Sequence, residues 1–180
     1  PTDWPMPTMQ KVEIDGKVTE LGKLERSVKY TSRGDLELAL RSIFRRVPQT
    51  GWEDVVQRVA YMDGMTGDVK DVKISDVNDT TKPFELSFML STPSFLDFSS
   101  KKSKFGIPLP LIRLPDIDAD DTDPVQLGGV GAIDTSLRIT VPDKFKLSIP
   151  LPVTMKREYA EYQSAYKLDK GTLTVTRKLN

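Results

Sequence analysis

Asp116, Asp118, Asp120, Asp121 and Asp123 crowd into one stretch of the chain. Calcium takes about six to eight oxygen ligands, and carboxylates at alternate positions of a loop can supply them. Asp116, Asp118 and Asp120 match the first, third and fifth ligand positions of an EF-hand loop. The remainder of that pattern fails. Asp121 stands where a glycine makes the turn, and Leu127 stands where a bidentate glutamate closes the shell. No helical pattern flanks the stretch. Asp116, Asp118 and Asp120 are therefore metal candidates only, in what otherwise reads as a solvated acidic loop.

Two absences bound the remaining chemistry. The sequence contains neither cysteine nor histidine. A thiolate nucleophile, a disulfide framework and a cysteine-based zinc site are excluded. So are Ser-His and Cys-His triads and the HExxH metalloproteases. Gly128, Gly129 and Gly131 resemble a phosphate loop only in their glycines, since no Gly-Lys-Ser/Thr end and no helix follows. Paired carboxylates for glycoside hydrolysis need one raised pKa and a fixed separation, and no spacing among the 26 acidic residues selects a pair.

Binding surfaces are weakly signed. Trp4, Trp52, Tyr159, Tyr162 and Tyr166 are the aromatic candidates for a sugar or base platform. Trp52 heads the apolar face of a helix and reads as packing, and the three tyrosines share no strand face consistently. Arg45-Arg46 suits the C-terminal dipole of a helix, and Lys101-Lys102-Ser103-Lys104 reads as a loop tip. The 26 basic and 26 acidic residues cancel to zero net charge, which argues against a general nucleic-acid or anionic-membrane surface.

The elements that must position these residues follow from periodicity. The chain has 180 residues, with 38% hydrophobic and 29% charged, ordinary values for one folded domain. Residues 1–11, with Pro1, Pro5 and Pro7, read as an extended lead-in, and residues 12–180 as a single domain. Val12-Glu13-Ile14 and Val18-Thr19-Glu20-Leu21 flank Asp15-Gly16, a hairpin turn signal. Leu24, Val28 and Tyr30 share one face of the next strand, with Arg26 as the exception. Leu36, Ala39, Leu40, Ile43, Phe44 and Val47 then form a helical stripe that Pro48 stops. Thr50-Gly51-Trp52-Glu53 fits a capping box, Trp52, Val55, Val56, Val59 and Ala60 form the apolar face behind it, and Gly64 suits the residue after the helix end. Beyond Gly67 the pattern is β. Phe84–Leu90, Leu137–Val141 and Phe145–Ile149 alternate, and Asp169-Lys170-Gly171 joins a final hairpin. Between them Phe105–Pro115 is apolar and proline-rich. No run of about 18 apolar residues spans a bilayer. The start, Pro1-Thr2-Asp3-Trp4, has no signal-peptide pattern and no initiator methionine, so the chain reads as a segment of a longer protein and the missing signal carries no weight.

The order of landmarks resembles the C-terminal domain of exported bacterial transglutaminase-like proteins that carry an N-terminal domain of unknown function. The landmarks are Asp15-Gly16 leading through Tyr30 to Gly34, Leu40-Arg41 on the first helix, Gly64 closing the second, and Val77 to Pro83-Phe84. A proline-rich stretch, a strand ending in Pro142 and a final hairpin through Leu173–Arg177 complete the set, over about residues 10–180. The resemblance implies that a Cys-His-Asp triad belongs to an upstream core, and none of it maps onto this sequence. It implies a periplasmic or cell-surface setting and a noncatalytic, accessory role, with the rest of the same chain as partner.

The expectation is thus an α+β domain, a mostly antiparallel β-sandwich-like body with a helical hairpin over about residues 35–63. It is expected to be no enzyme, to hold no cofactor, to bind no nucleic acid and to span no membrane. The alternative is a carbohydrate- or peptide-binding β module whose ligand meets the Phe105–Pro115 segment. A third reading is a carboxylate-only glycosidase. A broad apolar patch on an otherwise closed surface would mark the seat of a neighbour and favour the accessory domain.

Overall fold

The computed structural model describes residues 8–96, 104–108 and 131–180. Asp116, Asp118 and Asp120, with the whole acidic stretch, lie outside the described residues, as do Trp4, residues 101–103 and residues 128–130.

The described strands form one eight-stranded mixed sheet, and two helices complete an α+β chain. The elements are β1 (Thr8–Val18), β2 (Leu24–Arg33), α1 (Asp35–Arg46), α2 (Trp52–Met62), β3 (Asp68–Ile74), β4 (Phe84–Thr92), β5 (Gly131–Thr140), β6 (Val153–Lys156), β7 (Glu161–Asp169) and β8 (Thr172–Leu179). Their order across the sheet is β3-β4-β2-β1-β5-β8-β7-β6. Every neighbouring pair is antiparallel except β1 and β5, which run parallel at the centre. A parallel pair needs a long crossover, here everything between Val18 and Gly131.

Period-two alternation drives one face of each central strand inward. In register, Phe88 pairs with Val28, Val28 with Ile14, Ile14 with Leu137 and Leu137 with Val175. All five are buried. Leu40 and Phe44 of α1 and Val56 and Ala60 of α2 join the same core. The edge rings of Phe44 and Trp52 meet at 5.7 Å in a T-shaped pair, and Phe44 stacks on Phe84.

Several expectations are corrected. Asp15-Gly16 is not a turn. Both residues lie inside β1, and the chain reverses at residues 19–23, where Gly22 takes φ +82° and Thr19 N–H donates to Lys23 O. Gly16 serves close approach instead: a Cβ there would meet Arg26 Cβ at 3.0 Å. The capping box does not form. A 3₁₀ turn, Gln49–Gly51, runs directly into α2, so Gly51 occupies the cap position and no side chain caps the helix. Phe145–Ile149 forms no strand; the strand lies later, at β6. Tyr162 and Tyr166 do share a face of β7, since they lie four residues apart and pair with Leu179 and Val175, which lie four apart on β8.

Other local signals hold. Gly64 follows α2 at φ +77°, and Met65 N–H donates to Ala60 O at 2.8 Å, the bond that closes a Schellman ending. Lys170 and Gly171 take positive φ in the β7–β8 turn.

Candidate functional site

Three features stand out from a closed core.

The first is a set of arginines that hold the β3–β4 loop. Glu37 and Arg41 lie one turn apart on α1 and are both buried. Arg41 Nε donates to Glu37 Oε1 at 3.0 Å, its Nη1 to Asp76 O at 2.6 Å and its Nη2 to Lys82 O at 2.9 Å. The same guanidinium lies over the Phe84 ring, 5.2 Å from its centroid. Arg33 reaches from the end of β2 to Glu37, Thr80 O and Thr81 O, and Arg45 donates to Val77 O. Asp76 and Asp79 tighten the loop from within by accepting from the N–H groups of Asn78 and Thr81, and the Thr81 hydrogen bonds hold the Asp79 carboxyl below its ordinary range. These donors are directed at main-chain carbonyls, so the cluster orders a loop. Of the Arg45-Arg46 pair, Arg45 thus has a second partner that the helix dipole alone did not suggest.

The second feature is a cleft of about 500 Å³ beside the C-terminal end of α2, lined by Arg26, Met62, Asp63, Phe95, Phe105, Ile107 and Pro108 among others. Arg26 projects from the core face of β2 and is 4% exposed. Its Nη2 donates to Thr66 O and to Thr92 Oγ1, both at 3.2 Å, and its Nε is buried with no acceptor. Burial pulls its pKa down to about 10, and neighbouring Tyr30 opposes that shift. Tyr30 Oη donates to Asp63 Oδ2 at 2.5 Å. Burial, then the Asp63 carboxylate, pushes the Tyr30 hydroxyl far above its ordinary value.

The third feature is an apolar stripe at the opposite edge of the sheet. Leu147 packs on the core, but Ile149, Leu151, Val153 and Met155 continue the every-second-residue pattern into solvent. Leu151 is 84% exposed, and Val153 and Met155 are each 47% exposed. Register puts Val153 opposite Ser164 and Met155 opposite Tyr162, on the face of the sheet that carries the core. Arg177 stands in the same face across from Ser164, with Nη2 directed at Tyr166 Oη at 3.3 Å. That bond is the main cause of the lowered Tyr166 pKa.

The residues singled out from the sequence scatter. Trp52 is half-buried against Phe44, with Nε1 donating to Val47 O at 3.2 Å, so it is a residue of α2 that packs against α1. Tyr159 is exposed and precedes β7. Lys104 is exposed and borders the cleft. Among the described residues no group of three or more acidic side chains is placed to hold a metal. In the sequence Arg26 reads as the exception on an apolar strand face, and Glu37 is not singled out. The available signals were an arginine on an otherwise apolar strand face and a Glu-Arg pair at helical spacing.

The chain was compared with protein-family models, with curated proteins and with solved structures, and it matches none of them. Among the described residues no helix is long and apolar enough to cross a membrane.

Proposed function

We propose that this chain is a noncatalytic accessory domain of a larger, exported transglutaminase-like protein, acting in the periplasm or at the cell surface by packing against the rest of its own chain. The observation that carries this reading is the stripe of Ile149, Leu151, Val153 and Met155 at the β6 edge. Exposed apolar residues scattered singly mean little, but a set at alternate positions leading into and along an edge strand, here Ile149 and Leu151 before β6 and Val153 and Met155 on it, marks an interaction surface. The helices α1 and α2 lie at the other end of the sheet, against β2, β3 and β4. A neighbour seated over β6 and β7 would complete the sandwich-like body. The absence of cysteine and histidine supports a noncatalytic role.

Hydrogen exchange on the longer protein and on this chain alone tests the reading. Strands β6 and β7 should exchange more slowly in the longer protein. Lysine at both Val153 and Met155 should abolish that protection while leaving the isolated chain folded. Equal exchange in the two forms overturns the docking role. Transglutaminase, peptidase or glycosidase turnover that survives repurification and vanishes on a point substitution overturns the noncatalytic one.

A second reading, a carbohydrate- or peptide-binding β module, is favoured by the cleft, because its wall includes Phe105, Ile107 and Pro108 from the proline-rich segment.

A further inference from the structure

We propose that the Arg26 cleft is a binding site for a carboxylate carried on an apolar body, such as the C-terminus of a peptide that ends in an apolar residue. The inference extends the second reading and is independent of the β6 stripe.

A guanidinium has five N–H donors in a fixed fork. That of Arg26 is almost wholly buried, and two of its contacts go to Thr66 O and Thr92 Oγ1. Its Nε–H meets no acceptor. Among the described residues no carboxylate lies within ion-pair distance of it. A buried cation without a counter-charge is costly, and so is a buried donor without an acceptor. An anionic oxygen entering the cleft supplies the missing counter-charge.

The surroundings narrow the class. Arg26 lines a mixed cleft, in which Met62, Phe95, Phe105, Ile107 and Pro108 supply apolar wall beside the polar Asp63, Thr66 and Lys104. The rings of Phe95 and Phe105 pack at 5.1 Å and form one apolar surface. A bare inorganic anion would leave that surface unused, and a neutral apolar molecule would leave the guanidinium unmet. A carboxylate on an apolar body satisfies both. Lys104 adds a second cation at the border. The carboxylate in the described lining, Asp63, accepts from Tyr30 Oη.

The test uses the chain itself and the Arg26 Nε–H resonance in ¹H–¹⁵N spectra. The probes are N-acetyl-L-phenylalanine, its amide and 3-phenylpropanoate. The expected result is a saturable shift of the Arg26 Nε–H signal with both acids, and at least tenfold weaker binding of the amide. Tighter binding of the acetylated amino acid assigns the site to peptide termini, and equal affinity assigns it to apolar acids in general. Arg26→Met should remove acid binding, and Arg26→Lys should retain part of it. Amide binding as tight as acid binding overturns the carboxylate inference and leaves a ligand cleft standing. No saturable shift with any probe overturns both. The acid-to-amide comparison is made on the unsubstituted chain, so it decides the matter even if Arg26→Met fails to fold.

Discussion

Arg41 Nε donates to Glu37 Oε1 at 3.0 Å one turn away on α1, and both side chains are buried beneath the β3–β4 loop. The pair is the hinge point of the arginine cluster: Glu37 neutralises Arg41 and also receives Arg33. Removing one member leaves the other charge buried and uncompensated, a loss of about 3–5 kcal/mol in comparable pairs. Glu37→Ala should therefore unfold at markedly lower urea concentration than the parent, with faster exchange in the loop over residues 76–82. A variant within about 1 kcal/mol of the parent would show that the carbonyl contacts alone compensate Arg41.

Gly16 should not tolerate a side chain. A Cβ there would meet Leu24 Cδ1 at 3.1 Å, which can give way, but also Arg26 Cβ at 3.0 Å and Glu25 O at 3.2 Å, which do not move without shifting β2. Overpacking of this kind costs about 1–3 kcal/mol. Gly16→Ala should lower stability in denaturant melts by that amount, although alanine is the better strand residue.

Trp52 joins α2 to α1 through Phe44 and through its own bond to Val47 O. It is only half-buried, so Trp52→Ala should fall at the lower end of the range for large aromatic truncations, about 3 kcal/mol. Trp52→Phe should be milder, because it keeps a ring against Phe44. Calorimetric melting of both variants checks the order.

Tyr30 makes stability depend on alkaline pH. Its folded-state pKa is raised, first by burial and then by Asp63. The folded chain therefore keeps the proton while the unfolded chain loses it above pH about 10. The sign follows: the contribution is full below pH 10 and declines as pH rises. Tyr30→Phe should be destabilised by about 1–3 kcal/mol at pH 7, through loss of the bond to Asp63. The gap to the parent should then close by about 1.4 kcal/mol per pH unit above pH 10. Arg26 acts in the opposite direction, since its folded pKa is lowered to about 10. The comparison between variant and parent separates the Tyr30 contribution. A gap that is flat from pH 7 to 11 would mean that Tyr30 is not held neutral by its site.

Local signals in the sequence carried the two helices, the Gly64 ending and the β7–β8 hairpin. Each of these depends on residues within one turn or one hairpin of each other, such as Leu40 and Phe44, or Lys170 and Gly171. The same logic misread Asp15-Gly16. A two-residue turn signal and a glycine required by a neighbouring strand are identical in one dimension, and the reversal at residues 19–23 lacks the usual dipeptide. Thr50 failed as a cap for a related reason. Its spacing to Glu53 fits a box, but the 3₁₀ turn after Pro48 leaves Thr50 without the extended geometry that a cap requires.

What the sequence determined by itself is therefore the set of apolar faces: alternation selects Val12, Ile14, Val28 and Leu137 for the inside, and helical spacing selects Leu40, Phe44, Val56 and Ala60. What only the tertiary structure decided is which of those faces meet. The parallel pairing of Thr8–Val18 with Gly131–Thr140 joins strands more than half the chain apart, and no local preference encodes a partner at that distance. The same is true of Arg26. On the sequence it interrupts an apolar strand face. Its role as the buried cation of a cleft exists because α2 ends above β2 and because Phe95, Phe105 and Ile107 close around it. A side chain's chemistry is set by its own atoms, but its environment is set by segments that pack beside it from elsewhere in the chain.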